Sequence, residues 1–173
     1  MEVLVVVDMQ NDFIDGALGS EMAQAIVPNV IDKIKHFDGL VLATRDTHFE
    51  NYMDTQEGHN LPVPHCIKGT KGHEINSEIA KLIKTEPIDK LTFGSVELAT
   101  KLKELDAKEH LDKVTFIGLC TDICVISNAM VTKAFMPELP IAVDAKCCAG
   151  VTKESHLTAL SALKACQMAI ENA

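Results

Sequence analysis

The run Val3-Leu4-Val5-Val6-Val7 constrains the fold more than any other stretch of the chain. Five consecutive aliphatic residues leave no alternate polar position to face water. A strand of that kind is covered on both faces, as in a parallel sheet between two helical layers. Leu40 to Thr44, Val114 to Leu119 and Ile141 to Ala145 have the same character. Between these runs the apolar residues change to helical spacing. Ala23 to Phe37 carries Ala23, Ile26, Val27, Val30, Ile31 and Ile34 on one stripe, and Glu74 to Ile83, Ser95 to Leu105, Val125 to Phe135 and Lys153 to Ile170 also read as helices. His48 to His73 is irregular and rich in Gly, Pro, Asn and His, and a loop of that length within a compact domain is usually functional. The order β-α-β-loop-α-(β)-α-β-α-β-α predicts a three-layer α/β/α fold, Rossmann-like, with a mainly parallel open sheet and helices on both faces.

At 173 residues the chain suits one domain, residues 1–173, with a substantial core. A net charge of -9 argues against a nucleic-acid surface and against an anionic membrane surface. No apolar stretch is long enough for a transmembrane helix. The N-terminal run lacks a basic flank and is broken early by Asp8, so it reads as a first strand rather than a signal peptide. The six cysteines include no CxxC motif, and Cys147-Cys148 is a vicinal pair that suits no structural crosslink. Reduced thiols and a cytoplasmic location are expected.

Open parallel sheets bind ligands beyond the carboxyl ends of their strands. That rule draws Asp8, Asp46, His48 and Cys124 toward one edge, because each follows or ends a strand-like run. Cys124 lies in Gly118-Leu119-Cys120-Thr121-Asp122-Ile123-Cys124, between a strand and a helix. Free N–H groups and the positive dipole end at a helix start favour an anion. They would lower the thiol pKa and could hold an oxyanion. The residues alone leave other readings open: a buried structural cysteine at a turn, and an Asp8 that only caps the Asn11-Asp12 loop.

Four separated fragments together resemble the cysteine hydrolases related to nicotinamidase and isochorismatase. They are Val7-Asp8-Met9-Gln10-Asn11-Asp12-Phe13, Thr44-Arg45-Asp46-Thr47-His48 with the later Pro64-His65-Cys66, Asp89-Lys90-Leu91-Thr92-Phe93-Gly94-Ser95, and Gly118 to Val125. The resemblance implies an isochorismatase-like fold and a triad of Asp8, Lys90 and Cys124, with the N–H groups of Cys120 and Cys124 as an oxyanion hole and a cis peptide at Leu119–Cys120. It implies hydrolysis of a small carboxamide such as nicotinamide, through a thioester on Cys124. It also implies a divalent metal, zinc before iron or manganese, held by Asp46, His48 and His65. For the fourth ligand the resemblance implies Glu57, since some relatives use a Glu at this spacing, with His59 as its rival. Without the resemblance, Lys90 reads as a surface lysine and the metal set as loop-fixing hydrogen bonds. His36, His73, His110 and His156 are expected at the surface or at helix ends.

The resemblance further places Phe13 and Leu18 beside the substrate and implies a homo-oligomer. One departure stands out. Many nicotinamidases carry a Trp three residues before the ligand matching His65, where this chain has Pro62, so a stacking partner would have to come from Phe49 or Tyr52. Amide hydrolysis survives that departure better than nicotinamide itself does, and a carbamoyl compound or another small amide is the alternative substrate. The isochorismatase branch proper, which does not need a nucleophilic cysteine, fits less well. A metal-binding structural protein with inert thiols is the alternative outside enzymes.

Overall fold

The computed structural model describes residues 1–173. Its centre is a six-stranded, wholly parallel sheet. In chain order the elements are β1 (Glu2–Val7), α1 (Asn11–Ile14), α2 (Glu21–Lys35), β2 (Leu40–Asp46), α3 (Gln56–Asn60), α4 (Ser77–Ala80), β3 (Ile88–Lys90), α5 (Val96–Lys108), β4 (Lys113–Leu119), α6 (Ile126–Phe135), β5 (Ile141–Ala149), α7 (Lys153–Ala165) and β6 (Ala169–Glu171). The strands lie in the order β3-β2-β1-β4-β5-β6. The order reverses between β1 and β4, which opens a crevice at their carboxyl ends.

The aliphatic run of β1 divides between the two faces with period two. Val3, Val5 and Val7 join one core with Leu98 and Leu102 of α5, Ala129 of α6 and Leu163 of α7. Leu4 and Val6 join the other with Ala23, Ile26, Val30 and Ile34 of α2 and Ile79 of α4. The unbroken hydrophobicity therefore has the cause read from the sequence: both faces of the central strand are dry. Helix α2 starts where the Ser20 side chain accepts from Ala23 N–H, and α5 starts where Ser95 does the same for Leu98. No helix is long and apolar enough to cross a membrane.

Three sequence expectations need correction. The helix read over Glu74 to Ile83 shrinks to Ser77–Ala80, and the following Leu82 and Ile83 pack on the core from a turn. The helix read through Ile170 ends at Ala165; Gln167 turns the chain at φ 67, and Ala169–Glu171 becomes the edge strand β6. The strand at Ile141 continues to Ala149, and its register against β4 shifts: the two-residue step from Phe116 to Gly118 in β4 pairs with a five-residue step from Val143 to Cys148 in β5.

Candidate active site and metal centre

Four adjacent strands, β3, β2, β1 and β4, each deliver a polar side chain to the same edge. Asp8 follows β1 at φ 46, Asp46 ends β2, Lys90 ends β3, and Cys120 follows β4. Gly118 sits opposite Val7 in the β1–β4 register at φ 114, so the two strands approach closely there, directly before Asp8. The Leu119–Cys120 peptide is cis. Thr121–Val125 then forms one wide π turn, with Val125 N–H donating to Cys120 O, before α6 continues. Cys124 therefore sits inside the opening turn rather than at its first residue.

The Lys90 ammonium lies 2.6 Å from Asp8 Oδ2 and 3.4 Å from Cys124 Sγ, and all three side chains are buried. It also donates to Thr92 O at 3.1 Å and lies 3.4 Å from Asp46 Oδ1. Thr44 Oγ1 donates to Asp8 Oδ1 at 2.7 Å. Burial holds the Asp8 carboxyl above the usual range, against the pull of Lys90. Burial would pull Lys90 down, but Asp8, Cys124 and Asp46 outweigh it and hold the ammonium above its usual range. The Cys124 thiol is pushed well up, first by burial and then by the Asp8 charge, with Lys90 opposing. This corrects the expectation of a thiol activated by its helix start. Desolvation and the neighbouring carboxylate both favour the neutral thiol.

Cys120 and Cys124 line a cavity, and on one wall of it ligand atoms of Asp46, His48, Glu57 and His65 all lie within 4.8 Å of one another. His48 Nε2 is 2.9 Å from Asp46 Oδ2 and 3.5 Å from Glu57 Oε1, and His65 Nε2 is 3.5 Å from both carboxylates. His65 Nδ1 lies 2.8 Å from Val63 O, which can only accept, so Nδ1 carries the hydrogen and the neutral ring turns a lone pair on Nε2 to the centre. Two imidazoles and two carboxylates facing one point fit a divalent cation in donor type and in charge. The field is already set for positive charge. Burial lowers both imidazoles, yet the bonds to Asp46 and Glu57 outweigh it and hold His48 up at about 9 and His65 at about 10. Burial alone would raise Glu57, but its bonds to the two imidazoles hold it down at about 2. Glu57 joins this group, whereas His59 is exposed on α3.

The supporting layer was not read from the sequence. Gln10 is buried, donating through Nε2 to Asp46 O and His73 O, both at 2.8 Å, while its Oε1 accepts from Asp46 N–H at 2.7 Å. His73 is a correction: expected at the surface, it is buried with Nε2 2.9 Å from Thr47 Oγ1. Asn128 of α6 donates to Cys124 O at 2.8 Å and Phe93 O at 3.1 Å and accepts from Ser95 N–H at 2.9 Å. It ties the turn carrying Cys124 to the loop following Lys90. Only the amide pairing pattern across distant segments would have revealed these roles.

Phe13 and Leu18 both line the cavity. Neither Phe49 nor Tyr52 does. Phe49 is exposed, and Tyr52 is buried edge-on to His48 with its hydroxyl donating to Leu61 O. Phe93, Leu91, Leu61, Ile123 and Val151 supply walls that the sequence did not suggest.

A family profile for the isochorismatase domain matches residues 2–172. An isochorismatase-family protein of Bacillus subtilis is 31% identical over 177 residues, covering 92% of each chain. The nicotinamidase/pyrazinamidase of Mycobacterium tuberculosis is 26% identical, covering 95% of each. Among solved structures, the nicotinamidase/pyrazinamidase of Bacillus subtilis superposes with a TM-score of 0.82 at 26% identity, covering 99% of both chains. The pyrazinamidase of Pyrococcus horikoshii in complex with zinc gives 0.79 at 27% identity, covering 98% of this chain and 97% of that one. The matched span runs from the first strand to the last, across the whole parallel sheet and every group gathered at its edge, and the chain belongs to the isochorismatase family.

Proposed function

We propose that this protein is a metal-containing amidase that hydrolyses a small nicotinamide-like carboxamide to the acid and ammonia, with Asp8, Lys90 and Cys124 as its catalytic groups. One observation carries the reading: a buried ammonium 2.6 Å from a carboxylate and 3.4 Å from a thiol, with that thiol on a cavity. A scaffold with inert thiols has no use for such a lysine. The nicotinamidase and pyrazinamidase relatives support amide hydrolysis.

In this mechanism Asp8 takes the Cys124 proton as sulfur attacks the amide carbon and the S–C bond forms. Its raised pKa brings the carboxylate closer to the thiol it must deprotonate. Lys90 offsets the negative charge that passes between them. The carbonyl oxygen becomes an oxyanion facing the N–H groups of Cys120 and Cys124. Asp8 returns the proton to the amide nitrogen, the C–N bond breaks and ammonia leaves a thioester. Water, deprotonated by Asp8, attacks the thioester; the C–S bond breaks, the acid departs and the thiol regains its proton.

Asp46, His48, Glu57 and His65 would hold the metal, which when bound supplies a fixed positive charge that orients and polarises a donor atom of the substrate. Zinc suits the two-nitrogen, two-oxygen set, and the zinc complex of the archaeal pyrazinamidase supports it. Cys124→Ala abolishes ammonia release from nicotinamide while metal content and fold persist, and turnover near the wild-type rate would remove Cys124 from the mechanism. His48→Ala lowers the metal-to-protein ratio by elemental analysis; an unchanged ratio would show that the ligand set is wrong.

A further inference from the structure

The cavity holds about 980 Å³, at the upper end of the range that pockets for ligands of many atoms occupy. A single-ring amide placed over Cys124 fills a small part of it. The remainder opens through a rim of large apolar side chains that stay in contact with solvent: Leu91 is 70% exposed, Val151 56%, Phe93 41% and Leu61 39%. Half of the exposed large hydrophobics of the chain thus stand around this one opening. Exposed large apolar side chains gathered around one cavity mark a place where something apolar binds. No lysine or arginine lines the cavity, so away from the wall that carries His48 and His65 no cationic side chain pairs with a carboxylate or phosphate on the distal part of a ligand. The titratable side chains of that wall, Asp46, His48, Glu57 and His65, belong to the metal set. Pro62 does not reach the cavity, and neither does any aromatic side chain from Phe49 or Tyr52, so no wide ring closes this side.

We infer that the site takes uncharged primary amides bearing an extended apolar substituent, the amide over Cys124 and the substituent laid along Leu61, Leu91, Phe93 and Val151. This rests on the amidase reading above and names its substrate class. The apolar tail contributes by leaving water, so each buried methylene raises kcat/KM about fourfold until the tail passes the rim.

The test is ammonia release by the metal-loaded protein from nicotinamide, benzamide, the 4-methyl to 4-butyl benzamides and 4-carboxybenzamide. The expected result is kcat/KM climbing along the alkyl series by about fourfold per methylene and falling below benzamide for the carboxylate. Turnover of nicotinamide and benzamide with a flat or falling alkyl series would overturn this inference and leave the amidase reading standing. Silence from every amide would overturn both. Leu91→Ser and Val151→Ser, both at exposed positions, lower the slope of the series. An unchanged slope in both would show that the tail does not lie on the rim.

Discussion

Replacing Gly118 with alanine tests whether the close approach of β1 and β4 holds the active-site edge together. A Cβ at Gly118 would sit 2.1 Å from Val7 O, 2.9 Å from Val7 N and 3.0 Å from Val7 C. These are backbone atoms of a central strand, buried on both faces, and they cannot swing aside as a side chain does. The φ of 114° is also one that alanine rarely adopts. The dihedral costs about 1–3 kcal/mol, and forced overlap in a packed core costs about 1–3 kcal/mol more. For a chain of this size the sum of about 2–6 kcal/mol lowers Tm by about 4–24 °C. Gly69→Ala is the control: its φ is 86° but nothing lies within 4 Å, so only the dihedral acts, about 1–2 kcal/mol. Val7 directly precedes Asp8, so any retreat of β1 also carries the carboxylate away from Lys90 and Cys124. A displacement near 1 Å costs about a hundredfold in rate. Thermal denaturation followed by circular dichroism, with ammonia release at a temperature where both variants are folded, measures the two effects. A Gly118→Ala protein that melts as high as Gly69→Ala and turns over like the wild type would refute the reasoning.

Asn128→Leu keeps the branched shape and heavy-atom count of the side chain but removes the side-chain partner of Cys124 O, Phe93 O and Ser95 N–H. Each unmet buried group costs about 1–3 kcal/mol, and kcat should fall more than KM rises, because the turn carrying Cys124 is loosened; a change confined to Tm would make Asn128 purely structural. The pH profile of Cys124 alkylation by iodoacetamide, followed by peptide mass mapping, tests the raised thiol. The thiolate is the reacting form and its pKa lies above the ordinary range, so the rate climbs by about tenfold per pH unit from about pH 7 to about pH 9 without levelling. A plateau below about pH 8 would show that Lys90 outweighs burial after all.

The parts legible in the sequence were those written in local periodicity. The dry run of β1, the stripe of α2 and the rule for parallel sheets together brought Asp8, Asp46 and Cys124 to one edge. Lys90 and the ligand set became visible only through the family resemblance, because a lysine that ends a three-residue strand has no periodic signature. The edge strand β6 was lost for the same reason: Met168 and Ile170 extend the apolar marks of α7, and three residues are too few to show alternation. The burial of His73 depends on Thr47 and Gln10, which are distant in the chain. The thiol was misjudged because a dipole can be read from a turn, whereas desolvation and the nearby Asp8 charge exist only in the folded molecule. Leu91, Phe93 and Val151 stood in loops that look merely apolar in one dimension, and it is the strand order that sets them around one opening.

The groups at the sheet edge come one from each of four strands, and the strand nearest the N-terminus lies between two that are made later. No stretch of the polypeptide shorter than residues 8–124 contains Asp8, Lys90 and Cys124 together. Pairings between remote segments close slowly, since loop entropy is spent before contacts repay it. Enzymatic turnover therefore emerges late, when the last long-range pairing is in place, and a refolding sample would recover its helical signal well before its chemistry.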